Sequence, residues 1–154
     1  MSILPTKILV AVDEAEEATL ALRTAVDLAD NNDSELHAVH VITLSPWAAP
    51  EAMHPEDEKT AEDKRLKEDA WQILDEQIEK IQGTNQGASE AVAEKHFRVG
   101  EKVDEQVVDL ADEIGAGLIV VGSRGKNTMR RLLLGSEAES VVRHAHCPVL
   151  VVRQ

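Results

Sequence analysis

The chain has 154 residues, with 29 acidic against 16 basic side chains and a net charge of -13. This length fits one domain, 1–154, that can bury a single core. The negative charge would repel nucleic acids and anionic membranes, two tryptophans and one phenylalanine offer little for base stacking, and no apolar run approaches the length of a membrane helix. We therefore expect neither a nucleic-acid nor a membrane partner.

The expected compartment follows from the cysteine content and the N-terminus. Cys147 is the only cysteine and cannot form an internal disulfide, which favours a reducing environment. The residues before the first apolar run lack the hydrophobic core and cleavage site of a signal peptide. We expect a cytoplasmic protein.

Strand and helix patterns alternate along the first half of the chain. Short runs of branched apolar residues predict buried strands, and apolar residues at three- and four-residue steps predict helices. In chain order these are a strand at Lys7–Val12, a helix at Glu14–Asn31, a strand at Glu35–Ile42, a loop with three prolines over 43–57, and a helix at Glu56–Gln82.

The alternation continues to the end of the chain. The second half predicts strands at Glu94–Val99, Leu118–Val121 and Pro148–Val152, with helices at Val103–Ile114 and from Ser136, the last burying Ala138, Val141, Val142 and Ala145. Strands separated by helices cannot pair as hairpins, so we expect a parallel sheet with helices on both faces. Ligands bind beyond the carboxyl ends of such strands, which is where Asp13 and Gly122 would lie.

One loop has a charge opposite to that of the whole chain. From Ile114 to Ser136 there is no acidic residue, but there are four bases: Arg124, Lys126, Arg130 and Arg131. Glycines at 122 and 125 would let a phosphate approach backbone N–H groups, and Gly135-Ser136 opens a helix at its positive end. The pattern predicts an anion site. A capping box formed by Ser136 and Glu139 would explain the serine without any ligand.

The spacing G-x2-G-x9-G-S, formed by Gly122, Gly125, Gly135 and Ser136, resembles the nucleotide-binding signature of the universal stress protein family. The resemblance extends over the whole chain, through I-L-V-A-V-D ending at Asp13, H-V-I at 40–42, V-V-G-S-R-G, L-L-L-G-S and C-P-V-L-V-V. It implies a Rossmann-like α/β fold, with a five-stranded parallel sheet of order 3-2-1-4-5. It also implies a stress-response regulatory protein that binds ATP with Mg2+ and forms a homodimer through strand 148–153. We expect slow hydrolysis or none, because no candidate general base besides Asp13 is near the expected phosphates.

Site residues follow from the same resemblance. Asp13 would lie near the ribose and, with Ser136, would bind the Mg2+ ion. The implied nucleotide-binding set is Ala11, Val12, Asp13, Val41, Gly122, Ser123, Arg124, Gly125, Gly135, Ser136 and Glu137. Two of these have simpler explanations, because Asp13 could cap the first helix and Val41 could belong to the core.

Two positions depart from the family pattern. Glu14-Ala15 replaces a common Gly-Ser, and Glu137 stands where relatives are often apolar. The first change removes a small hydroxyl side chain near the expected phosphates. The carboxylates of Glu137 and Glu139 would compete with a polyphosphate for the helix N-terminus, although the four bases could offset this. Two functions therefore stay open: an ATP-binding regulator of an unknown protein partner, or a nucleotide-free interaction module. An enzyme acting on an adenylate would need a substrate domain, for which 154 residues leave no room.

Two further interpretations, a zinc site and a Walker P-loop, are disfavoured. His144, His146 and Cys147 are possible zinc ligands, but no fourth ligand lies nearby. The glycines do not form a Walker P-loop, because Gly122 is followed by Ser123-Arg124 rather than by Lys and Ser or Thr.

Overall fold

The computed structural model describes residues 6–44, 61–82, 88–125 and 134–154. The strands are β1 (Lys7–Ala11), β2 (Glu35–Thr43), β3 (Val92–Gly100), β4 (Leu118–Gly122) and β5 (Val149–Val152). The helices are α1 (Glu16–Asn32), α2 (Ala61–Gln82), α3 (Ala88–Ala91), α4 (Val103–Ile114) and α5 (Ser136–His144). None of the helices in these ranges has an apolar stretch that could span a lipid bilayer.

All five strands are parallel and their order is β3-β2-β1-β4-β5, which confirms the predicted Rossmann-like α/β fold. β1 lies at the centre, and the chain builds outward first to β2 and β3 and then, on the other side, to β4 and β5. The connections therefore diverge beside β1 and leave a crevice at the carboxyl ends of β1 and β4.

Apolar side chains cover both faces of the sheet. One core cluster packs α1 and α2 against the sheet and includes Ile8, Val10, Leu22 and Leu74. The opposite cluster packs α4 and α5 and includes Leu9, Val39, Val107, Ile119 and Val141. Because successive residues of a strand point to opposite faces, a sheet buried on both sides needs apolar residues without alternation, as the sequence of β1 shows.

The start of α1 and the capping of α5 differ from the predictions. α1 begins at Glu16 because the Asp13 carboxylate accepts a hydrogen bond from the Ala15 N–H at 2.8 Å, which forms a turn ahead of the helix. Asp13 is therefore not the N-cap, a position that Ala15 occupies. The capping box is wrong as well, because the N-cap of α5 is Gly135 and Ser136 already lies inside the helix.

Other differences concern burial and connections. Val142 was predicted to be buried but is 49% exposed, since the buried stripe of α5 runs through Ala138 and Val141. The short helix α3 was not predicted. Most of the proline-containing loop, the predicted start of the long helix at Glu56, and the bases Lys126, Arg130 and Arg131 lie outside the described residues.

Candidate functional site

A cavity of about 450 Å³ lies at the carboxyl ends of β1, β2 and β4, between α4 and α5. This volume is in the range of small-molecule binding sites. Most of the residues predicted from the sequence line it: Ala11, Val12, Asp13, Val41, Gly122, Arg124, Gly125, Ser136 and Glu137. Ser123 and Gly135 do not line it within the described part of the chain.

One part of the cavity wall is apolar. Valines from β2, α4, β4 and α5 form it: Val39, Val41, Val103, Val107, Val121 and Val141. Val41 is 8% exposed and belongs to the core cluster that packs α4 and α5, so it is both a core residue and a wall residue. This part of the wall suits a flat apolar group.

The other part of the wall is polar and includes the N-terminus of α5. Because the N-cap Gly135 has no side chain, α5 begins without a side-chain capping hydrogen bond. Ser136, Glu137 and Ala138 form the first turn and line the cavity. The first N–H groups of a helix have no partner within the helix and carry a partial positive charge. This end of the cavity therefore has the donors that an anionic group needs.

Arg124 does not point an unpaired charge into the cavity, because it pairs with Glu17 of α1. Glu17 Oε1 accepts from Arg124 Nε at 2.7 Å and lies 2.5 Å from Nη2. Glu17 Oε2 accepts from the Arg124 backbone N–H at 2.8 Å and from the buried Ser123 hydroxyl. The positively charged loop thus already binds a carboxylate from the same chain, that of Glu17.

Glu17, which is 4% exposed, was not among the predicted site residues. Burial by itself would raise the pKa of Glu17, but the hydrogen bonds from Ser123 and Arg124 and the arginine charge outweigh it and hold that pKa below its usual value. In the sequence, the one indication that Glu17 is buried was its position next to Ala18, which lies on the apolar stripe of α1. A glutamate in a first helical turn is ordinarily a solvated residue that favours the helix dipole, so this signal was weak.

Gly122 has a packing role that the phosphate interpretation did not include. A Cβ built on Gly122 would lie 3.1 Å from the backbone carbonyl carbon and from Cβ of Glu17. The glycine therefore lets α1 approach the end of β4 closely enough for Glu17 to reach Ser123 and Arg124. It still lines the cavity.

The backbone N–H groups of Ser123 and Gly135 are also engaged within the fold. The Ser123 N–H donates to the Val152 carbonyl at 2.9 Å, and the Gly135 N–H donates to the Ser123 carbonyl at 2.6 Å. The sequence predicts that Gly135 contributes a donor to the anion site. Its N–H instead joins the start of α5 to the end of β4.

Two polar side chains that were not predicted hold the turn at Asp13. Gln77 of α2, 1% exposed, donates to the Asp13 carbonyl at 2.6 Å and accepts from the Thr19 hydroxyl at 2.5 Å. His40 Nδ1 lies 2.8 Å from the Val12 carbonyl. Since a carbonyl only accepts, Nδ1 carries the proton. Gln77 lies between Leu74 and Ile81 on the buried stripe of α2, and a glutamine in such a position was the available indication of a buried polar contact.

Comparisons with known proteins agree with this architecture. A sequence profile described as the universal stress protein family matches residues 5–153. A universal stress protein of Methanocaldococcus jannaschii is 30% identical to this chain, and the match covers 96% of this chain and 82% of that protein. The chain belongs to the universal stress protein family.

Solved structures of the family have the same fold. The universal stress protein UspA from Lactobacillus plantarum matches with a TM-score of 0.70 and 27% identity, covering 99% of this chain and 100% of that one. A universal stress protein from Archaeoglobus fulgidus, solved in complex with dAMP, matches with a TM-score of 0.61 and 25% identity over 96% of this chain and 97% of that one.

Acidic groups crowd the polar part of the cavity in this universal stress protein. Partial burial raises the pKa of Glu137, and the negative charges of Asp13 and Asp104 raise it further. Asp13, Glu14 and Glu137 all line the cavity, whereas Arg124 is the only arginine or lysine among its described wall residues. The local potential therefore favours a cation beside any anionic ligand.

The segment from His144 to Cys147 does not form a metal site among the described residues. His144 Nδ1 lies 2.9 Å from the Ser140 carbonyl, and His146 Nδ1 lies 2.9 Å from Asp112 Oδ2. Burial raises the pKa of Cys147, as does the charge of Asp112, which leaves a neutral thiol. The disfavoured zinc interpretation of this segment gains no support from the fold.

Proposed function

We propose that this universal stress protein binds an adenine nucleotide, ATP with Mg2+, and acts as a dimeric stress-response regulator. The observation that carries the proposal is the division of one cavity into an apolar part and a part formed by the N-terminus of α5. The Archaeoglobus fulgidus relative in complex with dAMP supports an adenine nucleotide as the ligand class.

The two parts of the wall suggest how the nucleotide lies. The valines around Val41 offer the flat apolar surface that a purine ring requires, and the first turn of α5 offers N–H donors to phosphate oxygens. Asp13, Gly122 and Gly125 lie on the wall as well, where the ribose and the phosphates would be placed. This arrangement uses the cavity without disturbing the Glu17–Arg124 pair.

Mg2+ fits the residues present. It prefers oxygen ligands, which the Asp13 carboxylate and the Ser136 hydroxyl would supply. Repulsion from Asp13 and Asp104 contributes to the raised pKa of Glu137, and a divalent cation would relieve that repulsion. When bound, the ion would neutralise charge on the nucleotide's phosphates.

Hydrolysis would be slow or absent. Phosphoryl transfer is accelerated chiefly by positioned cations, often an arginine, that stabilise charge on the transferring phosphate. Arg124, the only such side chain among the described wall residues, is bound to Glu17 through its Nε and Nη2 atoms. Moving it onto a phosphate would leave a buried carboxylate unpaired.

Titration of the nucleotide-stripped protein with ATP and Mg2+ tests the proposal. We expect heat of binding in calorimetry and a rise in Tm that grows with ligand concentration, because a ligand that binds only the folded state stabilises it. If millimolar ATP produced no heat of binding and no rise in Tm, nucleotide binding would be refuted.

Two glutamates in the first turn of α5 provide a matched pair of variants. Glu137 lines the cavity, whereas Glu139 does not line it and forms an ion pair with Arg143 at 2.8 Å. Glu137→Gln should tighten ATP binding about tenfold, or about 1.4 kcal/mol, because it removes a negative charge beside the phosphates. Glu139→Gln removes the same charge from the same helical turn but should change the Kd less than about twofold. Equal effects in calorimetry would contradict the placement of the phosphates.

A nucleotide-free interaction module is the second candidate function. The specific observation in its favour is that the Glu17 carboxylate already accepts hydrogen bonds from the side chain and from the backbone N–H of Arg124. In that case Glu17 would neutralise the positive charge of Arg124 within the folded protein, and the acidic residues of the cavity wall would repel polyphosphates. The same titration separates the two candidates, since the module would bind no ATP.

The dimer is proposed to form through segment 148–153. β5 is at one edge of the sheet and pairs with β4 through the Pro148 and Val152 carbonyls, so the backbone groups of Val151 point to the open edge. Exposed edges of this kind are pairing sites. Val151→Pro should therefore convert a dimer into a 16.8 kDa monomer in light scattering without removing a bond to β4. A wild-type monomer, or a variant that remains dimeric, would contradict this interface.

A further inference from the structure

A second group of ligating side chains lies outside the cavity, on β2 and β3. His37 Nδ1 and His96 Nε2 are 2.8 Å apart, and their rings stack with centroids 5.1 Å apart. Glu94 Oε2 lies 3.7 Å from His37 Nδ1 and 3.9 Å from His96 Nε2. Among the described residues, this is the one place where three such ligand atoms converge.

Strand register brings these residues together. β2 and β3 are parallel, His37 pairs with Glu94, and Val39 pairs with His96. Residues two apart on a strand share a face, so the two histidines and Glu94 project from the same side of the sheet. The two histidines are 59 positions apart in the chain, and for this reason local sequence patterns do not reveal the cluster.

A further carboxylate fixes the orientation of His37. Glu35 Oε1 lies 2.6 Å from His37 Nε2, and because a carboxylate accepts, Nε2 carries the proton. In the neutral ring the Nδ1 lone pair then faces His96 and Glu94. A carboxylate that binds the far nitrogen of a histidine is the usual outer partner of a metal-ligating imidazole.

The two histidine rings are little exposed, and acidic side chains are in excess around them. His37 is 3% exposed, and the side chain of His96 is 11% exposed. The nearby Arg98 is bound to Glu113 at 2.8 Å, which offsets its charge. Glu35 and Glu94 therefore leave the cluster negative.

We propose that His37 Nδ1, His96 Nε2 and Glu94 Oε2 bind a Zn2+ ion, with Glu35 as the residue that positions His37. Two histidines and one carboxylate are a known zinc ligand set in which water takes the fourth position. Tetrahedral zinc with nitrogen ligands at 2.0–2.1 Å needs the two nitrogens about 3.3 Å apart, so the rings would separate by about 0.5 Å. The Glu94 side chain is 61% exposed and is able to close the remaining distance.

Metal titration of the chelator-treated full chain, without nucleotide, tests this site. We expect about one Zn2+ bound per chain with a micromolar or lower Kd, a rise in Tm, and a visible absorption band of four-coordinate Co2+ when Co2+ is the probe. His96→Gln and Glu94→Gln should each weaken Zn2+ binding at least about 100-fold, and Glu35→Gln about tenfold. Circular dichroism verifies that each variant is folded.

His146→Gln is the matched control, because His146 is an exposed histidine that also contacts a carboxylate, Asp112. It should leave the Kd and the Co2+ band unchanged. Absence of Zn2+ binding to the wild type, binding that survives His96→Gln, or binding that is lost in His146→Gln would each overturn the proposal. None of these outcomes depends on whether the cavity binds ATP.

Discussion

Replacement of Arg124 by alanine should lower the free energy of unfolding by about 3 kcal/mol at neutral pH, or the Tm by about 6–12 °C. The variant leaves the Glu17 carboxylate, which is 4% exposed, without its guanidinium partner. The Ser123 hydroxyl and the backbone N–H at 124 would still donate to it, so the cost is at the lower end for a broken buried ion pair. Urea unfolding monitored by circular dichroism measures the change.

The same variant has an expected pH dependence. Because the pKa of Glu17 is held below its usual value, the ionised group stabilises the wild type above the ordinary glutamate pKa, and this stabilisation is lost as the pH falls through the lowered value. Without the Arg124 guanidinium, its hydrogen bond and its charge no longer lower the pKa of Glu17, so that pKa is higher in the variant than in the wild type. The difference between wild type and variant should therefore shrink as the pH falls below the ordinary glutamate pKa of about 4.3.

Arg143→Ala is the control for this experiment. Arg143 also pairs with a glutamate, Glu139, but the two side chains are 68% and 55% exposed. Such a helix-surface pair contributes about 0.3–0.5 kcal/mol. A cost for Arg124→Ala that is equally small, or one that does not change with pH, would contradict the role assigned to the buried pair.

Replacement of Gly125 by valine should abolish ATP binding in calorimetry at millimolar nucleotide. Gly125 lines the cavity directly after the Glu17–Arg124 contact, where the phosphates are proposed to approach the backbone. A branched side chain there would occupy the space of the ligand. Unfolding measured in parallel separates loss of the site from loss of the fold.

Gly100→Val is the control for the glycine experiment. Gly100 ends β3 and does not line the cavity, and the three heavy atoms nearest to a Cβ there, at 2.5–2.9 Å, all belong to the Gln106 side chain, which would have to move aside. ATP binding should be retained. If Gly125→Val bound ATP as the wild type does, the proposed position of the phosphates would be wrong even if ATP binding itself were real.

The fold was largely predictable because its strands are covered on both faces. Continuous apolar runs located β1 and β4 to within a residue, and the helix predicted at Val103–Ile114 has those bounds in the structure. The predictions that failed for α5, the burial of Val142 and the capping box at Ser136, depend on how a short helix packs and is capped. Local periodicity does not contain that information.

The sequence by itself determined the parallel α/β fold and the sheet edge to which Asp13, Gly122 and Gly125 belong, because apolar periodicity and chain order are local properties. Only the tertiary structure decided which charges meet. Arg124 could have faced a phosphate, but it pairs with Glu17, 107 positions away, because Gly122 lets α1 approach β4. His37 and His96 meet because of strand register, and both pairings depend on burial and close packing between distant segments.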